Sequence, residues 1–204
     1  MLRRTFLTGS LTTVAVGTLH PTAARAEVSA VDEDFLTLLT NANQTQIPLV
    51  LSSYQNASDS VRTVARKARR LVSGYVWGRS SYHHDASLLG PLRWLVEQLA
   101  ARQHDDGLYD VGNLHSPPDS AFAIQDVCLL YALLDADGRP DTEPHRAILA
   151  TVAKKAGPAL AAGGVHTPNH RWEVSAASRA PTTCSRIAGT PPGSTTGWTR
   201  SRAR

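Results

Sequence analysis

Three clusters of polar residues contain the side chains of this sequence that could do chemistry. The first is Tyr-His-His-Asp at 82–85, the second lies within 104–119, and the third lies within 166–173. Imidazoles and carboxylates transfer protons and bind metals, whereas asparagine, histidine and arginine side chains donate hydrogen bonds to anions. Each cluster falls between predicted helices, where binding residues are commonly presented. The three clusters are therefore the candidate sites of the chain.

Each cluster also has a structural interpretation. Asn169 follows a proline and is suited to cap a helix, with Trp172 packed in the core. His115 can belong to a loop in which Asp119 caps the next helix, and residues 82–85 can form a solvated loop or a helix cap. Both interpretations stay open on the residues alone.

The third cluster also contains two histidines at metal-ligand spacing. His166 and His170 are separated by four positions, which places two imidazoles on one face of a helix. Pro168 lies between them and disfavours a continuous helix. We therefore predict no metal site at these two histidines; we also expect no organic cofactor, and the sequence leaves open whether a metal is used elsewhere.

The elements that must position these clusters are helices. Apolar residues recur at helical spacing in four segments and at the start of a fifth, and no segment shows a convincing strand pattern. Ser58 or Asp59 is suited to cap the first of them, and Gly157 and Pro158 are expected to kink the fourth. The predicted helices cover about 58–72, 87–101, a stretch after Pro117-Pro118-Asp119 that stops at 137–140, 143–160, and a stretch beginning at Trp172.

Successive predicted helices start roughly 25 to 30 residues apart, and polar connections rich in Gly and Pro join them. This rhythm is typical of antiparallel helical hairpins, which bury their apolar stripes only when stacked on neighbours. The fold class is therefore all-α, over a domain at 58–177. We expect little regular structure in 27–57. Four or five such helices do not close into a complete structure, so we expect an incomplete domain.

The first 26 residues predict an exported precursor. Arg3 and Arg4 precede Phe6 and Leu7, as in a twin-arginine signal, and Ala-Arg-Ala at 24–26 suits a signal peptidase. An ordinary secretory signal is the alternative, and it leads to the same extracytoplasmic location. The apolar part of this leader is too short and too polar to span a bilayer, and we expect no membrane span after its removal.

The positive charge of the chain is concentrated at its two ends. The calculated pI is about 9.4, but residues 27–178 contain 13 basic and 17 acidic residues, a net charge of about −4. A nucleic-acid-binding protein carries its positive charge on the folded domain. We therefore predict that nucleic acid is not a partner.

The segment 178–204 differs in composition from the rest. It contains Ser, Thr, Pro, Gly and Arg without apolar periodicity, which is typical of a disordered tail. A one-base shift of reading frame from Ser178 would, with GC-rich codons, restore an amphipathic helical pattern. We therefore predict an out-of-frame tail on the N-terminal fragment of a longer protein. Cys184 lies in this tail, and we expect Cys128 to be a buried free thiol.

Two stretches resemble a known family. Residues 103–122, with Asn-Leu-His-Ser-Pro-Pro-Asp, and His-Thr-Pro-Asn-His-Arg-Trp-Glu-Val at 166–174 resemble secreted heparinase II/III-like and alginate-lyase-like polysaccharide lyases. The resemblance covers about 85–180. It implies an N-terminal (α/α) toroid, of which 58–177 would be one part, followed by a β-sandwich domain. It also implies β-elimination of glycans that contain uronic acids, with an acidic polysaccharide as partner.

The resemblance implies roles for particular residues. Asn169 and His170 match the position that binds the uronate carboxylate, and His115 is a further substrate contact or an acid–base group. These groups would stabilise the enolate-like anion formed when the C5 proton is removed. The catalytic tyrosine cannot be assigned, since both Tyr82 and Tyr109 occur in loops. The expected substrate-binding residues are Arg171, Trp172, Tyr109 and Asp119.

Two other classes of function remain as alternatives. A glycoside hydrolase on the same toroid would use two carboxylates from among Asp105, Asp106, Asp110 and Asp119. A non-catalytic secreted helical glycan-binding module, or a pseudogene product, would need no reacting groups. The fragment encoded by this sequence is expected to be inactive by itself.

Overall fold

The described part of the chain is all-α, as predicted. The computed structural model describes residues 32–112, 114–162 and 168–179. It contains α1 (Glu33–Leu51), α2 (Val61–Val76), α3 (Leu89–Ala101), α4 (Pro117–Asp137), α5 (Glu143–Ala162), α6 (Pro168–Arg179), β1 (Asp110–Val111) and β2 (Leu114–His115), with short 3₁₀ turns at Ala86–Leu88 and Pro140–Thr142. Among these helices, none combines the length and apolar character that crossing a bilayer requires. The predicted leader at 1–26 and the tail beyond residue 179 lie outside the described residues.

Local sequence signals set the ends of two helices. The Ser116 hydroxyl accepts a hydrogen bond at the start of α4, Pro117 and Pro118 occupy its first turn, and Gly138 ends it in the left-handed conformation at φ 70°. The end of α4 was predicted, but its start was placed too late, because Ser116 and not Asp119 is the cap. Ser60 caps α2 by accepting from the Thr63 amide, so the predicted cap at Ser58 or Asp59 was placed too early.

Three sequence predictions about the elements are wrong. Residues 27–57 were expected to have little regular structure, but α1 occupies Glu33–Leu51 and contains Pro48 within it. The last helix begins at Pro168 rather than at Trp172. The hairpin of β1 and β2 was not predicted, because two residues per strand are too few to show an alternating pattern.

Helix α4 lies at the centre of the packing. It contacts α2, α5 and α6, while α3 packs against α2 and α5, and α1 packs against α2. The apolar stripes of these helices meet in one core, whose largest buried members are Ile47, Leu71, Tyr75, Leu88, Leu92, Leu95, Leu99, Tyr109, Ile124, Leu130, Leu134 and Leu149. Each helix packs on helices that lie one or two places away in the chain order. Closure into a toroid stays a prediction.

Cys128 is buried in α4 and is disulfide-bonded, so the expectation of a free thiol is wrong. The described residues contain no free cysteine. Cys184, the other cysteine of the sequence, lies outside the described residues. The environment of Cys128 is apolar, as expected, but burial alone does not determine the redox state of a thiol.

Candidate functional site

Four polar side chains converge beside the hairpin, and we call them the His–Asp cluster: His104, Asp106, Asp110 and His115. The two oxygens of Asp110 bind different rings, with Oδ2 at 2.9 Å from His104 Nε2 and Oδ1 at 2.8 Å from His115 Nδ1. The other nitrogen of His115, Nε2, lies 2.8 Å from Asp106 Oδ2. The two imidazole rings meet edge to face with their centroids 4.9 Å apart.

Backbone hydrogen bonds hold the cluster in place. β1 and β2 pair Asp110 directly with His115, so the side chains of this pair lie next to each other. His104 is fixed by its amide, which donates to the Leu108 carbonyl at 2.9 Å. Asp106 accepts from the Leu108 amide at 3.0 Å through Oδ1, which leaves Oδ2 for His115. The hairpin pairing and these hydrogen bonds to backbone groups therefore position the four side chains.

The loop that carries Asp106 is attached to α5. Gln103 is buried, and its side-chain amide donates to the carbonyls of Gly107 and Val152, each at 2.9 Å. Gly107 has φ 88°, and a Cβ built there would lie 2.1 Å from the Lys155 carbonyl oxygen. Only glycine permits both this backbone conformation and this approach to α5. Gln103 and Gly107 thus hold the loop against α5.

The charges of the cluster stabilise one another. Hydrogen bonds to His115 are the main reason why the pKa values of Asp106 and Asp110 lie below their ordinary value. The same bonds, first to Asp106 and then to Asp110, raise the pKa of His115. Since ionised carboxylates only accept, His115 carries a proton on each nitrogen when both bonds are made. The cluster offers a stabilised imidazolium and two ionised carboxylates, all solvent-exposed.

The described part of the third polar cluster, residues 168–173, lies on α6, and its residues point in different directions; His166 lies outside the described residues. Val174 and Ala177 are buried, and His170, on the same side of the helix, is half-buried. Asn169 and Trp172 lie on another side and are exposed, with 78 % of Trp172 accessible. The expectation that Trp172 packs in the core is wrong. Arg171 is exposed as well.

His170 contains a buried polar atom that has no hydrogen-bond partner among the described residues. Its Nδ1 is buried and makes no hydrogen bond with the described residues. Such groups are uncommon in folded proteins, and each calls for an explanation. Neighbouring side chains on a helix diverge by about 100°. The family resemblance implies that His170 and Asn169 bind the same carboxylate. On α6 the two side chains instead point in different directions.

Tyr109 is a core residue and not a substrate contact. The side chain is fully buried, and its hydroxyl donates to the Leu99 carbonyl at 3.0 Å. Burial raises the pKa of Tyr109 far above its ordinary value, so the phenol stays protonated. Tyr109 was expected to bind substrate, and its full burial disagrees with that expectation; the burial likewise disfavours Tyr109 as the unassigned catalytic tyrosine.

Asp119 also has a structural role. Its Oδ1 accepts from Arg62 at 3.0 Å, and its Oδ2 accepts from the Ser116 hydroxyl at 2.5 Å. The Ser116 hydroxyl in turn accepts from the Asp119 amide, an arrangement that closes the first turn of α4. With both oxygens engaged and the side chain 15 % exposed, Asp119 does not present a free carboxylate to a substrate.

The first polar cluster joins two helix ends. Asp85 caps the 3₁₀ turn by accepting from the Ser87 amide at 2.8 Å, which agrees with the predicted capping role. His84 has φ 56°, stacks on His83, and places Nε2 2.9 Å from Asp137 Oδ1. Tyr82 is half-buried. His84 and Asp137 therefore form a contact between the 82–85 segment and the end of α4.

His115 and the α6 residues lie on elements that flank α4. β2 directly precedes α4, and α6 packs along it. His115 was expected to be a site residue, Asp106 and Asp110 were candidates only for the hydrolase alternative, and His104 was not selected. The Gly112-Asn113 dipeptide is typical of a two-residue hairpin turn and could have indicated the pairing of Asp110 with His115, but no such signal marks His104 or Asp106.

Comparison of the chain with family models, with curated proteins and with solved structures finds no match.

Proposed function

We propose that this chain is the N-terminal helical part of an exported polysaccharide lyase, which cleaves uronic-acid-containing glycans by β-elimination. The fragment encoded here is inactive by itself in this proposal. The observation that carries it is the outer side of α6, where Trp172 is exposed beside Asn169. A large apolar ring left in solvent is informative, because globular proteins bury most of such surface.

The side chains on α6 suit an acidic sugar. Trp172 and Asn169 are three positions apart and therefore neighbours on the helix surface. The indole offers an apolar face for a sugar ring, and the amide of Asn169 donates hydrogen bonds to a carboxylate. Arg171 adds a positive charge on the exposed surface of the same helix. Together these groups would bind a uronate.

Elimination requires a base and a group that stabilises the developing anion. Hydrogen bonds from Asn169 to the uronate carboxylate would lower the cost of removing the C5 proton. His115 is exposed and protonated on both nitrogens, so it is suited to protonate the departing oxygen rather than to act as the base, and burial disfavours Tyr109 as the base. Tyr82 remains a candidate base, and the missing part of the protein could supply another. The partnerless Nδ1 of His170 is available to a group from that part.

The exposed face of α1 supports the idea that further chain belongs to this domain. Phe35, Leu38, Leu39 and Leu49 are each about half exposed or more. Leu38 and Leu49 form a stripe on one side of the helix, away from the buried Ile47 and Val50. In a longer arrangement of helical hairpins, such a stripe packs against the next pair.

A glycoside hydrolase is the weaker alternative. Hydrolysis needs one protonated carboxylic acid and one ionised carboxylate. Asp119 is engaged by Arg62, and the pKa values of Asp106 and Asp110 are lowered rather than raised. The lowered pKa values make Asp106 and Asp110 unsuited to donate a proton near neutral pH, and the ion pair with Arg62 keeps Asp119 from contacting a glycosidic oxygen.

Glycan binding by the 204-residue chain tests the α6 surface. Affinity electrophoresis in gels that contain alginate, pectate, heparin or neutral dextran would measure retardation. We expect retardation by at least one acidic glycan, weakened about tenfold by Trp172→Ala, the change that about 1.4 kcal/mol produces. Trp77→Ala removes another partly exposed tryptophan and serves as the control. Equal retardation of all three proteins by acidic glycans would contradict the proposed surface.

Restoring the shifted reading frame tests the activity. The gene is expressed with one base added or removed at codon 178, and uronate glycans are assayed for unsaturated products that absorb in the ultraviolet. We expect activity from the extended protein, none from the 204-residue chain, and loss of activity in extended Asn169→Ala. An early stop codon in the shifted frames, or products without ultraviolet absorption, would refute the lyase assignment.

A further inference from the structure

The His–Asp cluster has the composition and geometry of a site for a divalent metal ion. The ligand atoms of His104, Asp110 and His115 all lie within 4.8 Å of one another. Two imidazoles and a carboxylate form a set that binds Zn²⁺ and related transition-metal ions. We propose that these three residues bind Zn²⁺ or a similar divalent ion, with Asp106 orienting His115.

The distances require little rearrangement. His104 Nε2 and His115 Nδ1 each lie 2.8–2.9 Å from an oxygen of Asp110. Ligand atoms of tetrahedral zinc, at bond lengths of about 2.0–2.1 Å, are about 3.3 Å apart. Each histidine nitrogen therefore needs to move about half an ångström away from Asp110, while the two nitrogens, at most 4.8 Å apart, stay within reach of one ion. The ion would replace the protons that now join the two rings to Asp110.

Asp106 supplies the outer hydrogen bond that metal-binding histidines usually make. Its Oδ2 accepts from His115 Nε2 at 2.8 Å, which orients the ring so that Nδ1 faces the proposed ion. The other oxygen of Asp106 is held by the Leu108 amide. This carboxylate therefore has a fixed position and would strengthen the ligand without contacting the metal.

Charge and access favour a cation at this position. Asp106 and Asp110 supply two negative charges, and the four side chains are between 41 % and 58 % exposed. The nearby cation Lys155 is directed to Asp105, at 3.4 Å, and not to the cluster. Three protein ligands on one side leave positions open to water or to an anionic ligand. The site is thus of the open type.

A second group of potential ligands offers an internal comparison. His83, His84 and Asp137 also lie within reach of one another. The rings of His83 and His84 stack face to face with centroids 3.7 Å apart. Of these two histidines, only His84 is hydrogen-bonded to Asp137. No described carboxylate supports His83 from behind as Asp106 supports His115. His83 is therefore the matched control histidine.

Metal binding is measured without any glycan, so this inference goes beyond the proposed lyase function and can fail independently of it. The full 204-residue chain is prepared without a polyhistidine tag and stripped with EDTA. Zn²⁺ alone is titrated by calorimetry, and Co²⁺ alone is titrated while its visible ligand-field absorption is recorded. We expect one ion per chain, with a Co²⁺ spectrum of nitrogen and oxygen ligation.

Variants assign the ligands. His104→Ala and His115→Ala should weaken Zn²⁺ binding by more than 100-fold, and Asp106→Asn by about 10- to 100-fold, as for other outer-shell residues. His83→Ala should bind Zn²⁺ as the unmodified chain does. Circular dichroism checks folding. If a histidine variant does not fold, Asp110→Asn keeps a side chain of the same size and serves as the substitute.

Several results would overturn the proposal. The first is the absence of stoichiometric binding by the unmodified chain. The second is unchanged Zn²⁺ affinity in folded His115→Ala or Asp110→Asn. The third is an equal loss of affinity in His83→Ala, which would show that the ion is held by scattered histidines.

Discussion

The 103–109 loop packs so closely on α5 that one added methyl group should greatly lower the free energy of unfolding. At Gly107 an alanine Cβ would lie 2.1 Å from the Lys155 carbonyl oxygen and 2.9 Å from the Ala156 Cα. These are backbone atoms of a helix, so they cannot rotate away as a side chain would. Gly107→Ala must therefore displace the loop from α5 or strain both elements.

The expected loss has two parts. A residue other than glycine at positive φ costs about 1–2 kcal/mol. Forcing extra volume into a packed contact costs about 1–3 kcal/mol more. Gly107→Ala should therefore lower the free energy of unfolding by about 2–5 kcal/mol, a large fraction of the about 5–15 kcal/mol typical of a domain.

Gly112 provides the matched control. It also has positive φ, 66°, but an added Cβ meets no atom within 4 Å. Gly112→Ala should carry only the conformational cost. Urea unfolding of the two variants and the unmodified chain, followed by circular dichroism, measures the difference. Equal destabilisation by the two substitutions would show that the loop does not rest on α5 as described.

Two further predictions concern buried polar groups. Tyr109→Phe removes the hydrogen bond to the Leu99 carbonyl and should lower the free energy of unfolding by about 1–2 kcal/mol in urea titrations, without altering glycan binding. A loss of glycan retardation in this variant would restore Tyr109 as a substrate contact. Burial raises the pKa of Asp126 despite its ion pair with Arg69, so its contribution to stability is greatest at acid pH and falls as pH rises through that pKa. Asp126→Asn should therefore gain stability relative to the unmodified chain between acidic and neutral pH, and a relative loss over that range would contradict this sign.

Helices with one apolar stripe and clear end signals were predictable from the sequence. The stretch 87–101 agrees with α3 and the preceding 3₁₀ turn, and the proline pair and glycine around α4 mark its ends. These signals are local, because caps and breakers act within one turn of the helix. Helix α1 lacked such a signal. Its apolar residues lie on two sides, Phe35 and Leu38 outside and Ile47 inside, so no single stripe was visible.

A sequence pattern also does not show which side chains of a polar segment face the core, and this explains the errors at the candidate site. Tyr109 and Trp172 both occur among polar residues, and their types alone suggested similar roles. Tyr109 is buried because its ring reaches α3, where its hydroxyl donates a hydrogen bond to the Leu99 carbonyl, and its amide donates to the Ser120 hydroxyl of α4. Trp172 is exposed because the buried side of α6 runs through Val174 and Ala177 instead.

The sequence by itself determined that the chain is helical and that acidic residues and histidines occur in the segments between helices. Helix formation and polar loops depend on neighbours a few positions away, which the sequence displays directly. Which of those polar groups meet was decided by the tertiary structure. His104, Asp106 and His115 converge because a hairpin pairs Asp110 with His115 and a glycine lets the loop approach α5. Contacts of that kind join segments whose separation in sequence carries no periodic signal.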